Sequence, residues 1–443
     1  MYMADITNSG TMNGLKKLFV NSNNIMRDSY IWNTMSAFLF ALQSAIVLLV
    51  ITRTNGLEDA GVFSIAYAVG SLMYYVGEYG VRKYQVSDVN EELSFTDYHS
   101  HRVVACVITI IASVIYTVVC FKWRGYSGYK AYIVFMVCMV KVVEAYSEVY
   151  FGRYQQVGRL DVSAKTNLYR TFIGMVAFMI ALAITHDMAL SMTVWLVAVI
   201  IAFLTSSLAV MKDFAELEFR FNWKNILKIF IDCFPLFAGY FMLLYVSNAP
   251  KYAIDACMTD TDQACYNFIF MPVFAIGLFA NFIFNPILVD LAHKWEDSEI
   301  KGFTKIVVRQ IFVILAITLL AIAVALTIGC PVLGIMYHAD LSAYKIDLAI
   351  LMIGGGMLAL VNFFAVVITV MRFQKHLTAG YIVLAALAGL TANRAVSAYG
   401  IRGACVLYTV LLAILSFVFA IMTFYFIKKA PSINASDSCA PSP

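Results

Sequence analysis

Three charges share one stretch of otherwise apolar sequence. Lys141, Glu144 and Glu148 stand at i, i+3 and i+7 between residues 129 and 151, which places them within about 60° of one another on a helix. Lys141 falls near the middle of that run, where unpaired charge is costly in hydrocarbon, so the face must look at a cavity or at partner residues. An ammonium there can hold an anion; a Lys141–Glu144 ion pair that only ties helices together is the competing reading. Arg53 and Lys251 each end another apolar run and can grip an anionic group, Arg53 with a bidentate fork and Lys251 as a point charge. Snorkelling to headgroups would place them equally well. Arg82 follows Glu78 by one helical turn, acid before base, the order that favours an i, i+4 clamp. Asp232, three residues before Pro235, suits cation or proton coupling as a buried carboxylate, and the proline would kink its helix. Asn281 and Asn285 lie i, i+4 beside Pro286, and Asn362 follows Gly354-Gly355-Gly356; such amides can bind sugar hydroxyls or neighbouring helices. No Walker loop occurs, and no cofactor or metal is expected.

These residues need elements that hold charge inside a membrane. Of 443 residues, 62% are hydrophobic and 13% charged, with a mean hydropathy of +0.80, far from the mix of a soluble domain. Apolar runs of about 20 residues predict an all-α polytopic membrane protein with twelve spans: 30–52, 60–82, 103–121, 129–151, 168–186, 189–210, 226–249, 266–290, 306–328, 346–371, 377–397 and 403–427. Nothing of the size of a soluble motor or catalytic domain fits between them, which argues against an ATP-driven pump. The net charge of +4 gives no support to nucleic-acid binding.

Assigning alternate loops to opposite sides puts 22 of the 31 Lys and Arg on one side and 8 on the other, with Lys141 inside a span. The skew predicts both termini in the cytoplasm. The first 29 residues lack a secretory signal's apolar core, so the N-terminus is expected to be retained. Most of the nine cysteines fall inside apolar runs as small hydrophobes. Cys257 and Cys265 share one loop, where a disulfide and two free thiols are both open.

Twelve spans invite a test for duplication. Phe151-Gly152-Arg153-Tyr154-Gln155 after the fourth run is echoed by Met371-Arg372-Phe373-Gln374 after the tenth. A cation followed by an acid-led step recurs after the first and seventh runs: Arg53 with Asp59-Ala60-Gly61-Val62-Phe63, and Lys251 with Asp262-Gln263-Ala264-Cys265-Tyr266. Two six-helix lobes follow, 30–210 and 226–427, with a cytoplasmic segment 1–29, a linker 211–225 and a disordered tail 428–443. Such a bundle suits alternating access.

Arg53-Thr54-Asn55-Gly56-Leu57-Glu58-Asp59-Ala60-Gly61, Glu78-Tyr79-Gly80-Val81-Arg82-Lys83-Tyr84-Gln85-Val86-Ser87-Asp88 and Asn248-Ala249-Pro250-Lys251-Tyr252-Ala253-Ile254-Asp255 carry a resemblance. In order and helix position they resemble the polysaccharide-exporter branch of the multidrug/oligosaccharidyl-lipid/polysaccharide (MOP) superfamily, and within it the Wzx-type O-antigen flippases. The resemblance runs from about Ser29 to Lys429. It implies a multi-pass protein of the bacterial cytoplasmic membrane that turns an undecaprenyl-diphosphate-linked oligosaccharide to the outer leaflet, for O-antigen, lipopolysaccharide or other surface polysaccharide. It also raises a role for Arg82 in admitting the phosphate, and implies a polysaccharide polymerase and glycosyltransferases as partners. The physical requirement agrees, since a diphosphate and sugars must cross roughly 30 Å of hydrocarbon.

Two other functions compete. An exporter of small cationic drugs would favour a carboxylate-rich cavity over one with Arg53, Lys141 and Lys251. A membrane glycan polymerase or ligase would carry a sizeable outer loop with catalytic groups, whereas the longest outer segments here span about 16–17 residues.

Overall fold

The computed structural model describes residues 14–88, 90–215, 220–284, 287–373 and 375–437. In chain order the helices are α1 (Gly14–Val20), α2 (Ile25–Asn55), α3 (Leu57–Glu78), α4 (Val81–Ser87), α5 (Phe95–Trp123), α6 (Gly128–Gln156), α7 (Leu160–Thr185) and α8 (Met188–Phe203). A π turn, Leu204–Leu208, carries α8 into α9 (Ala209–Met211). Then come α10 (Trp223–Cys257), α11 (Asp260–Phe284), α12 (Leu288–Glu296), α13 (Ile300–Val324), α14 (Cys330–Tyr337), α15 (Lys345–Val370) and α16 (Lys375–Asp437). No strand occurs among the described residues, so the chain is an all-α polytopic membrane protein.

Nine of these helical segments are long and apolar enough to cross a membrane. The remaining passes have identifiable origins. α6 is 29 residues long but carries Lys141, Glu144 and Glu148; α11 is 25 residues long; and α16 breaks at Gly400, where φ is 59°, into two helices. With these, the described helices accommodate the twelve passes expected from the apolar runs.

Local chemistry sets the ends. Asn24 caps α2 by accepting the Arg27 N–H at 3.0 Å, and Ser127 and Asp187 do the same for α6 and α8. Ser94 and Asp97 form a reciprocal capping box at α5, and Thr259 and Asp262 form another at α11. In the α4–α5 connection, burial alone would raise the Asp88 carboxyl. The backbone N–H groups of Glu92 and Leu93 and the Tyr98 hydroxyl outweigh it and hold Asp88 below the usual carboxylate range.

The chain divides into two units, Met1–Phe241 and Met242–Pro443. The division falls within α10, so the first half of that helix packs in unit 1. There Phe237 stacks on Tyr79 with ring centroids 4.4 Å apart, and Phe230 meets both Tyr79 and His101. In the same unit α3 packs along α6, α2 along α7 and α7 against α8. The α3–α6 contact is close because Gly70 presents no side chain: a Cβ there would stand 2.9 Å from Val137 and 3.2 Å from Lys141. In unit 2, α15 is the central helix. Its Gly354, Gly355 and Gly356 each receive a different neighbour: Tyr408 of α16, Val273 and Ile276 of α11, and Thr318 of α13.

Candidate functional site

The expected face of α6 is buried in unit 1, and all three of its charges are engaged. Lys141 Nζ donates to Glu144 Oε2 at 2.7 Å and to the Tyr67 hydroxyl at 3.2 Å, and lies 4.3 Å from the centre of the Tyr67 ring. The Lys141 and Glu144 side chains are 4% and 1% exposed. Glu144 has further partners: Gln43 Nε2 of α2 donates to it at 3.4 Å, and Arg170 Nη1 of α7 lies 3.9 Å away. One carboxylate therefore serves two cations.

A second charge centre lies one helical turn further along α6. Arg82 Nη1 of α4 donates to Glu148 Oε2 at 2.7 Å, and Arg82 Nη2 donates to Gln155 at 3.0 Å and Ser163 at 3.3 Å. The Phe151 ring joins the two centres, with the guanidinium carbons of Arg82 and Arg170 each 5.9 Å from its centre. Arg170 in turn donates to Asn167, which donates to Ser36. The result is a ladder of three cations, Lys141, Arg170 and Arg82, around two carboxylates, Glu144 and Glu148. Counted by ion pairs among the described residues, its excess charge is positive.

The i, i+4 clamp between Glu78 and Arg82 does not form as expected. Tyr79 and Gly80 are both left-handed, with φ 55° and 73°, and they end α3 before α4 begins. The Glu78 carboxylate turns back to accept the Gly80 N–H at 2.8 Å, while Arg82 is aimed at Glu148. A glycine is required at this break, because a Cβ on Gly80 would meet Leu236 of α10 at 2.8 Å.

Asp232 departs from expectation as well. It is exposed on α10, where the Tyr84 hydroxyl donates to it at 2.9 Å. The apolar run that suggested burial leaves this residue exposed at the edge of the face that carries buried Ile229 and Cys233. Arg53 is exposed at the end of α2, whereas Lys251, its counterpart by sequence position, is 6% exposed inside unit 2 with Nζ 4.6 Å from the centre of the Phe270 ring. The Asn281 side chain and all of Asn285 and Pro286 lie outside the described residues. Cys257 and Cys265 are both free thiols, the first exposed and the second buried.

Sequence reasoning did not single out Arg170, Tyr67 and Gln43 as members of the site. Arg170 stands at the start of an apolar run and reads as a cytoplasmic flank; the unpaired surplus of Glu144 and Glu148 over Lys141 was the one signal that a cation from another helix had to reach α6. No group of three or more His, Cys, Asp or Glu fit for a metal ion occurs among the described residues.

No family model matches this sequence, and no curated protein matches it. Solved structures do share its fold. The lipid II flippase MurJ in an inward closed conformation superposes with a TM-score of 0.66 at 11% identity, over 90% of this chain and 90% of that one. An inward-facing multidrug resistance MATE family transporter of the MOP superfamily gives 0.64 at 9% identity, over 88% of this chain and 96% of that one. The Vibrio cholerae MATE transporter VcmN in the bent form gives 0.55 at 11%, over 94% and 99%. The chain has the fold of these membrane transporters.

Proposed function

We propose that this protein is a flippase that turns undecaprenyl-diphosphate-linked oligosaccharide from the cytoplasmic to the outer leaflet of the bacterial cytoplasmic membrane by alternating access of its two halves, with both termini in the cytoplasm. The observation that carries the reading is the cation-rich ladder of unit 1: among the described residues, the ion pairs of Lys141, Arg170 and Arg82 are all made to Glu144 and Glu148. A diphosphate crossing hydrocarbon needs such cations along its route, and guanidinium groups offer the fork that matches phosphate oxygens. The fold it shares with the lipid II flippase adds support, because that protein also moves a lipid-linked substrate. In this reading Lys141 and Arg82 exchange carboxylate partners for phosphate oxygens as substrate passes. Polysaccharide polymerase and glycosyltransferases are then the functional partners.

A second reading, export of small cationic molecules, is favoured by the likeness to the multidrug transporter. Against it, Glu144 and Glu148 are both already held by cations of the protein itself. Deleting the gene and identifying what accumulates separates the two. Build-up of a lipid-linked glycan in the inner leaflet supports the flippase; normal surface glycan together with sensitivity to cationic dyes replaces it with the drug exporter.

A further inference from the structure

Unit 2 contains a second buried cation with surroundings unlike those of Lys141. Lys251 forms no ion pair among the described residues, and its ammonium is seated over the Phe270 ring. Asn248 precedes it by one turn on the same face of α10 and is also buried. Across from it, α11 presents Gln263, Tyr266, Asn267 and Phe270 at i, i+3, i+4 and i+7, which is one continuous helical face. The Phe270 ring is the hub: Tyr266 lies 5.8 Å from it and Tyr408 of α16 lies 5.1 Å from it, ring centre to ring centre.

The polar atoms of this cluster are sealed and unused. Both amide atoms of Gln263, the Asn267 Oδ1 and the hydroxyls of Tyr266 and Tyr408 have no hydrogen-bond partner among the described residues, and each is shut off from solvent. Natural interiors seldom leave so many buried donors and acceptors unmatched in one place, because each forgoes its bonds to water. A buried ammonium without a counter-charge adds to the imbalance. An anion would settle both deficits at once. It would compensate Lys251 and accept hydrogen bonds from the Gln263 amide and from the two tyrosine hydroxyls, which are free to rotate toward it.

We propose that the α10–α11 face of unit 2 is an anion-binding site, built on Lys251 with Gln263, Tyr266 and Tyr408 as donors, for a phosphate group. The phosphate belongs to the diphosphate of the lipid-linked substrate or to free inorganic phosphate. This deepens the flippase reading, and it rests on that reading only for the first of the two sources. The site is closed in this conformation, so occupancy requires α10 and α11 to part.

The test uses the purified full-length protein in detergent, with thermal unfolding followed against added pyrophosphate and, separately, inorganic phosphate. Wild type should be stabilised by pyrophosphate. Lys251→Met, which removes a buried uncompensated charge and keeps the length of the side chain, should fold at least as well as wild type and bind at least about tenfold more weakly, the loss expected for one charge-assisted hydrogen bond. Tyr266→Phe and Tyr408→Phe delete single hydroxyls and should weaken binding while leaving the fold intact, which keeps the test valid if the lysine variant is unstable. Stabilisation by pyrophosphate alone assigns the site to the substrate's diphosphate; equal stabilisation by phosphate assigns it to the free ion. If neither anion stabilises wild type, or if Lys251→Met responds as wild type does, the cluster is a hydrated polar interior and the proposal fails. Intact anion binding in a protein that exports no lipid-linked glycan would overturn the flippase reading and leave the site standing.

Discussion

Glu144→Gln is the most informative perturbation of the unit 1 ladder. It removes the carboxylate shared by Lys141 at 2.7 Å and Arg170 at 3.9 Å, and leaves two buried cations facing a neutral amide. Removing one partner of a buried pair costs about 3–5 kcal/mol, roughly a 150- to 5,000-fold loss in the ratio of folded to unfolded protein. Lys141→Met should be milder. Glu144 keeps Arg170 and Gln43, so the loss is that of one hydrogen bond to a charged group, about 1.5–3 kcal/mol. The two changes should not add. In the Glu144→Gln background, Lys141→Met takes away one of two like charges, so a substitution that destabilises wild type becomes stabilising. The double variant should still fall short of wild type, because Arg170 then has no ion-pair partner among the described residues. Thermal unfolding in detergent, followed by tryptophan fluorescence, measures all four members of the cycle. Equal stability of Glu144→Gln and wild type, or the same effect of Lys141→Met in both backgrounds, would refute the shared-carboxylate argument. Export by Lys141→Met at normal expression reports separately on whether the lysine meets substrate.

Arg82→Gln and Glu148→Gln should each impair folding, with Glu148→Gln the milder because Arg82 retains Gln155 and Ser163; unfolding temperatures in detergent rank them. In a cysteine-free background, a cysteine at Ser342 should react with a membrane-impermeant probe from outside and one at Ser298 should not; the reverse pattern inverts the topology and with it the direction of export. Arg53→Ala should reduce surface polysaccharide more than Arg53→Lys at equal expression, and wild-type levels in the alanine variant would reduce Arg53 to a snorkelling residue.

The passes across the membrane were legible in the sequence because each needs only a run of apolar residues, a local property. The face of α6 was legible for the same reason, since helical spacing alone brings Lys141, Glu144 and Glu148 together. What pairs with that face was not. Gln43, Tyr67 and Arg170 come from three other helices, and no spacing rule connects them to Glu144. The Glu78–Arg82 expectation failed because the i, i+4 rule assumes an unbroken helix, and the left-handed Tyr79 and Gly80 interrupt it. Gly80 was present as a warning, but a single glycine inside a helical pattern does not announce a break. The burial expected of Asp232 was misjudged for a different reason. In a membrane protein the lipid-facing side of a helix is as apolar as its packed side, so an apolar run does not say which way one acid points.

The first half of α10 packs against Tyr79, His101 and Gly80 of unit 1, although it follows the linker, 211–225, expected from the sequence between two six-helix lobes. This bears on biosynthesis. A nascent chain released after α9 would expose the aromatic surface that Phe230 and Phe237 otherwise cover, so unit 1 cannot complete its packing until the ribosome has passed Phe241. Two polypeptides made by cutting the gene between 212 and 222 would therefore be poor partners for independent insertion, whereas a first fragment extended through α10 carries what its own interior needs.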